Sequence, residues 1–363
     1  MDDCGNRDPL GSVACGILLI LMAIGLVLVM EPAPRVGDGC EYFLMTMSLA
    51  EKGQPYSDPE VLAMYEAYQQ SRDGSFLAGR DLEVYSKGLT LNGQRDFPHF
   101  WFFSLLCVPY YWFLKILGGD IGHCFTLLNL TLLGLLLKVA SANFGRRGLV
   151  VATALALASP LLWFVNKGHT EFFTVCLATT GVIWFLKKQY GRTVLALGIV
   201  STQNPPFLIV ALLVVALGVV RDGPKMVRHW VGCLAGMLVG CLHPLYYFIR
   251  HGNVTPQLIT GAASGEGKGF REWTCFLVDP DVGLFSNWPW LIVPLIAVLA
   301  VTFWKKQKPD WSVICFCFLA VTILCWAQTK TNNFNHGGCI TFSSTISIFV
   351  CVFHKPIRSK SSL

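Results

Sequence analysis

Long apolar runs separated by short polar connections recur along the whole 363-residue chain. The first, from about Val13 to Met30, has the roughly 20 residues a helix needs to cross a hydrocarbon core, and Glu31-Pro32 stops it at the interface. Further runs predict helices near 123–141, 148–165, 170–187, 192–203, 206–220, 229–250, 286–304, 310–328 and 339–354. That makes an all-α polytopic membrane protein of about ten transmembrane helices, several short enough to need tilt or neighbours. Between the first two spans the period changes. From Glu41 to Lys52, Tyr42, Met45 and Leu49 share one helical face while Thr46, Ser48 and Lys52 lie elsewhere, which predicts a short helix lying in the interface. An ordinary solvated loop start is the competing reading of the same residues.

The connections sort by charge. Arg146-Arg147, Lys187-Lys188 with Arg192, Arg221 with Lys225 and Arg228, Lys305-Lys306 with Lys308, and Lys355 with Arg358 and Lys360 fall on one side, which the positive-inside rule assigns to the cytoplasm. The pattern holds only if the aromatic stretch Phe97–Leu117 does not cross. Its Phe100, Trp101, Phe102, Phe103, Tyr110, Tyr111 and Trp112 suit headgroup depth, so a re-entrant or interfacial helix is predicted there, although its length would also permit a span. Residues 1–363 then form a single transmembrane domain, with 31–122 an outer loop that contains interfacial helices. Three further outer connections lie around Asn166–Glu171, His251–Asn287 and Lys330–Gly338.

Composition narrows the class. With 53% of residues hydrophobic and 14% charged, the core is lipid-embedded, and the net charge of +6 belongs to topology rather than to nucleic-acid binding. Asp2, Asp3 and Asp8 against Arg7 argue that the first run is a retained anchor and not a cleaved signal. The 14 cysteines lie mostly inside apolar runs and show no metal-ligand spacing. Ionisable groups inside the predicted spans are few, which weakens a transporter or flippase reading. The break Ser201-Thr202-Gln203-Asn204-Pro205-Pro206 is the exception, and it also reads as the outer turn of a hairpin.

Four short segments carry a resemblance: Asp38 four residues before Tyr42, Asp96-Phe97-Pro98-His99, His169-Thr170-Glu171, and Asn333-Phe334-Asn335-His336-Gly337-Gly338. In this order, after an N-terminal span, they resemble the GT-C superfamily of membrane glycosyltransferases, which includes protein O-mannosyltransferases, lipid A aminoarabinose transferases and oligosaccharyltransferases. The resemblance implies a GT-C-like bundle in a bacterial inner (plasma) membrane. It also implies an inverting transfer of sugar from a polyprenyl-phosphate donor to a lipid, glycan or protein acceptor at the outer face. Members of the superfamily usually continue the Gly-Gly loop into Arg-Tyr and further spans. Here Cys339-Ile340-Thr341-Phe342-Ser343-Ser344 follows, which keeps a shortened, non-catalytic homologue as an alternative.

Such a transfer needs a carboxylate on the attacking side, to take the acceptor proton or to hold a divalent cation, Mg2+ or Mn2+. Asp38 is the candidate for both tasks, with Glu41 and Glu171 as further catalytic carboxylates. A departing phosphate needs fixed cations, for which Arg95, His99, Lys167, Arg271 and Lys330 are available. Tyr42, His169, Asn335 and His336 complete the candidate binding set for sugar and phosphate. Thr170 reads equally well as a helix cap, with Glu171 favoured in the first helical turn by the dipole.

Overall fold

A computed structural model describes residues 9–32, 38–72, 89–158 and 160–260, with Leu319, Ala320 and Ile323 besides. The helices predicted near 286–304, 310–328 and 339–354, with Lys330, Asn335 and His336, lie outside the described residues, apart from helical positions at 319, 320 and 323. The described chain is mostly helical: α1 Pro9–Val29, α2 Asp38–Lys52, α3 Pro59–Arg72, α4 Phe102–Ile116, α5 Cys124–Ala158, α6 Glu171–Leu186, α7 Tyr190–Ser201, α8 Phe207–Asp222, α9 Trp230–His251 and α10 Pro256–Thr260. A two-residue hairpin, β1 Thr90–Leu91 against β2 Gln94–Arg95, turns through Asn92 and Gly93, both at positive φ.

Two continuous stretches, Ile121–Leu157 and Phe207–His251, are long and apolar enough to cross a membrane. Each is divided by a glycine in a conformation that breaks a helix. Gly145 sits at φ 64°, ψ −153° inside α5. A Cβ placed on Gly148 would lie 2.3 Å from the Ala140 carbonyl oxygen. Eight residues of straight helix would separate them by about 12 Å, so the chain doubles back at Gly145. Gly223, at φ 53°, opens the short 3-10 turn Gly223–His229 that reverses α8 into α9. Both breaks fall at the basic clusters Arg146-Arg147 and Arg221 to Arg228.

Helices α7 and α9 make the closest contact in the fold. Gly232, Gly236 and Gly240 recur at every fourth residue and so line one stripe of α9. Cβ atoms on Gly198 and Gly236 would lie 2.0 Å from Gly236 O and 2.4 Å from Val194 O, and Gly191 and Gly232 meet in the same way. The backbones touch because no side chain intervenes, the arrangement small residues give helices in lipid. Leu234, Leu238, Leu245, Phe248 and Ile249 on the other side of α9 are exposed.

The polar connections gather at opposite ends of this bundle. At one end Lys187 lies 4.5 Å over the Phe144 ring, Lys188 pairs with Asp222 at 3.1 Å, and His229 packs on Tyr190. The basic clusters of α5, α6 and α8 to α9 therefore share one face. At the other end the turn after α7 meets the loop before α4, where Gln203 donates to the Phe100 carbonyl at 2.9 Å. The break at 201–206 is thus a hairpin turn.

Helix α2 departs from expectation. It is present, but every residue from Gly39 to Ser48 is buried, so it is enclosed and not half-immersed in an interface. Its polar face is covered because Ser104 of α4 and Thr46 both donate to the Tyr42 carbonyl at 2.8 Å, while Ser48 reaches the Tyr56 carbonyl. Phe43 packs on Tyr65, Tyr68 and Phe125. Asp58 ties α2 to α3. Its Oδ1 accepts from the backbone N–H groups of Glu60 and Val61 and caps α3, and its Oδ2 accepts from Lys52 at 2.7 Å.

Two outcomes are expected. Gly236→Ala forces a methyl into the Val194 backbone and costs about 1–3 kcal/mol, seen as a lower melting temperature of the solubilised protein, whereas Gly25→Ala, with nothing within 4 Å, leaves melting unchanged or slightly raised. Cysteines introduced at Lys225 and Val254 stand at the two ends of the 22-residue α9, about 33 Å apart, and react with an impermeant thiol reagent from opposite sides of a sealed vesicle. Labelling of both from the same side would overturn the bundle orientation.

Candidate active site

Helix α2 starts at the polar end of the bundle, and its first turn presents Asp38 and Glu41 one above the other. The loop before α4 brings His99 against them. Its Nδ1 lies 2.8 Å from Glu41 Oε2 and its Nε2 lies 3.6 Å from Asp38 Oδ2. One ligand atom from each of the three residues falls within 4.8 Å of the others. The Tyr42 ring stands 5.3 Å from the His99 ring, and its hydroxyl donates to Gln203 Oε1 at 3.3 Å. Tyr247 of α9 donates to the carbonyls of Phe97 and His99 at 2.6 and 3.0 Å, which fixes the backbone carrying the imidazole.

Electrostatics follow from burial. Desolvation by itself would push the His99 imidazole down, but the carboxylates of Glu41 and Asp38 outweigh it and raise its pKa to about 9. His99 is therefore an imidazolium at neutral pH, donating from Nδ1 to Glu41 and holding Nε2 in ion-pair range of Asp38. Burial pushes the Glu41 carboxyl up, His99 draws it back down, and Asp38 adds to the rise. Glu41 has no exposed surface, and its Oε1 has no hydrogen-bond partner among the described residues.

Glu171 opens α6 and interacts electrostatically with His169, Asp38 and His99. Its Oε2 is also buried without a hydrogen-bond partner among the described residues. Thr170 makes no side-chain cap to α6; its hydroxyl faces Tyr42 instead. His169 approaches from the same loop, with Nε2 3.9 Å from where a Cβ on Gly39 would stand. The absence of a side chain at Gly39 leaves that space open beside Asp38.

Asp38, Glu41, Tyr42, His99, His169 and Glu171 are thus brought together from three distant parts of the sequence. Of the cations proposed for a phosphate, His99 is in this cluster, Arg271 and Lys330 lie outside the described residues, and Lys167 and Arg95 are engaged elsewhere. Lys167 lies 3.5 Å over the Trp163 ring, and burial pushes its ammonium down while Glu171 pulls it back up. Arg95 enters the fold through its backbone, paired with Ser57 and Thr90, beside Asp96 and not in the carboxylate cluster. Both nitrogens of His99 face carboxylates, which leaves neither for a phosphate. Gln203 was not anticipated as a site residue. The only signal for it was the polar break at 201–206.

No protein-family model, curated protein or solved structure matches this chain.

The raised His99 pKa has a sign that can be checked. A folded-state pKa of about 9 against an ordinary value of 6.5 means that the pairing stabilises the protein fully below about pH 6.5 and is lost as pH rises through 9. Melting temperature is expected to fall between pH 7 and 10, and to fall less steeply in His99→Gln. An equal slope in both proteins would remove the ion pair from the account.

Proposed function

We propose that this chain is an inverting glycosyltransferase of GT-C type, which moves a sugar from a polyprenyl-phosphate donor to an acceptor at the membrane face where α2 begins. The observation that carries the reading is the Asp38–His99–Glu41 cluster, three ionisable groups within 4.8 Å of one another at the polar end of an apolar helical bundle. The opposite end is basic, so by the positive-inside rule the cluster faces outward, as an acceptor met outside a bacterial inner membrane requires. The sugar chemistry itself rests on the resemblance of Asp38 to Tyr42 and of the later loops.

Roles follow from protonation and exposure. His99 is already protonated at neutral pH and cannot serve as the base. Glu41 is sealed against it. Asp38, with its side chain 30% exposed and the looser 3.6 Å contact, keeps lone pairs free for a ligand. In the transfer the acceptor oxygen or nitrogen attacks the anomeric carbon, and the bond from that carbon to the phosphate oxygen breaks with its electron pair leaving on phosphate. The acceptor proton goes to Asp38. His99 holds Asp38 in place from one side and favours the charged form of Glu41 on the other. Glu171 supplies a second acceptor of hydrogen bonds from sugar or acceptor hydroxyls.

The cluster also fits a divalent cation. Holding it would require His99 to lose its proton; the unpartnered Glu41 Oε1, a carboxylate oxygen of Asp38 and a ring nitrogen of the neutral His99 would then be the ligands, a set with one nitrogen that suits Mn2+ better than Mg2+. Bound there, the ion would orient and polarise the acceptor.

Asp38→Asn preserves size while removing the base, and transfer of radiolabelled sugar in membranes is expected to fall about 10²–10⁴-fold with donor binding little changed. Glu60→Gln, on an exposed side chain of α3, is expected to be neutral. Near-normal transfer by the Asp38 variant would move the role to Glu171. A parent chain that transfers no sugar from any polyprenyl-phosphate donor would sink the reading.

A further inference from the structure

A second charged network sits beside the cluster without touching it. Asp96, 2% exposed, accepts at Oδ2 from Arg250 Nε at 2.7 Å and faces His251 Nε2 at 2.8 Å, while its Oδ1 accepts from the Tyr246 hydroxyl at 2.5 Å. Arg250 also donates to Gln94 Oε1 at 3.3 Å and lies 4.4 Å over the Tyr56 ring. Three residues farther along the chain, the same stretch carries His99. Its carbonyls are gripped from α9 and beyond, Phe97 and His99 by Tyr247 and Pro98 by Gln257.

Three features make this more than cohesion. A buried ion pair pays for its own desolvation poorly, and apolar replacements of equal volume are often as stable, so stability alone does not account for three polar groups around one carboxylate. The partners come from one element, the last turns of α9, about 150 residues away in the chain, so they fix the position of residues 94–99 relative to α9 and not merely a local turn. Pro98 restricts Phe97 to an extended backbone, which transmits that position along the chain to His99 with little slack.

We propose that Asp96, with Arg250, His251 and Tyr246 as its partners, is a positioning residue for the cluster. It seats the Phe97-Pro98-His99 backbone on the end of α9 so that the imidazole bridges Glu41 and Asp38. The inference rests on the reading of that cluster as the reacting site, and it assigns the final turns of α9 a part in the chemistry although they bear no residue that touches it.

The test uses the full chain in lipid nanodiscs and three variants: Asp96→Asn, Arg250→Lys, which keeps charge but loses the Nε bond, and Tyr247→Phe, which releases the two carbonyls. Histidine modification by diethyl pyrocarbonate is followed peptide by peptide. In the parent, His99 reacts slowly because both ring nitrogens face carboxylates. Loss of one buried charge-assisted contact is expected to raise its rate roughly tenfold or more, while His169 and His123 react as before even though the melting temperature falls. In a transfer assay kcat falls and KM for the donor stays, with Arg250→Lys milder than Asp96→Asn. If Asp96→Asn does not fold, the other two variants decide. Unchanged His99 reactivity in all folded variants overturns the proposal, as does a rise shared by every histidine, which would make the network structural only. A selective rise at His99 in a chain that transfers no sugar upholds the positioning role and rejects the glycosyltransferase reading instead.

Discussion

Glu41 has no exposed surface, and what favours its charged form against that burial is the His99 imidazole 2.8 Å away. Much of the polar end follows from satisfying that pair. The imidazole must be delivered to the first turn of α2, so the loop before α4 has to run close alongside and α4 packs against α2. Tyr42 is then enclosed between His99 and Phe103, and its hydroxyl must find Gln203 at the end of α7. A buried charge thereby ties the segment between the first two predicted spans to the turn between α7 and α8. At the unpartnered Oε1 of Glu41, as at Oε2 of Glu171, this satisfaction stops short among the described residues.

The bundle beneath supplies a fixed floor. Its helices are apolar and short, and several of the polar groups they bury are returned to backbone carbonyls. Thr180 donates to Cys176 O, Ser201 to Gly198 O, and His243 Nδ1 to Thr202 O, the last setting its tautomer because a carbonyl can only accept. Among the described residues charge therefore gathers toward the two ends: carboxylates and imidazoles with their paired cations at one, mainly lysine and arginine at the other.

Much of this was legible in the sequence, and what was not has definite causes. Apolar runs locate α5 to α9 because length and hydrophobicity are local properties. Asp38, Glu41 and Tyr42 stand out for the same reason, lying within one helical turn and a half after a span. Helix α2 was misjudged because a pattern of Tyr42, Met45 and Leu49 reports one covered face and is blind to α4 covering the other. The Asp96 to Arg250 contact joins residues 154 apart, and Tyr42 to Gln203 joins residues 161 apart, separations that no window along the chain can connect. Gly232, Gly236 and Gly240 are different, since their spacing was plain on the page. It carries meaning only once a partner is known, and that partner, α7, has its own glycines at a wider interval.

Contact between the backbones of α7 and α9 has a mechanical consequence. Sliding one helix along the other by a single residue would drive the flanking leucines and valines into a groove that has room only for hydrogen atoms, so the pair resists shear. Gln203 at the end of α7 and Tyr247 near the end of α9 are therefore carried on one rigid body. Rocking motions of the kind that expose a binding site alternately to two sides of a membrane find no slip plane between these two helices.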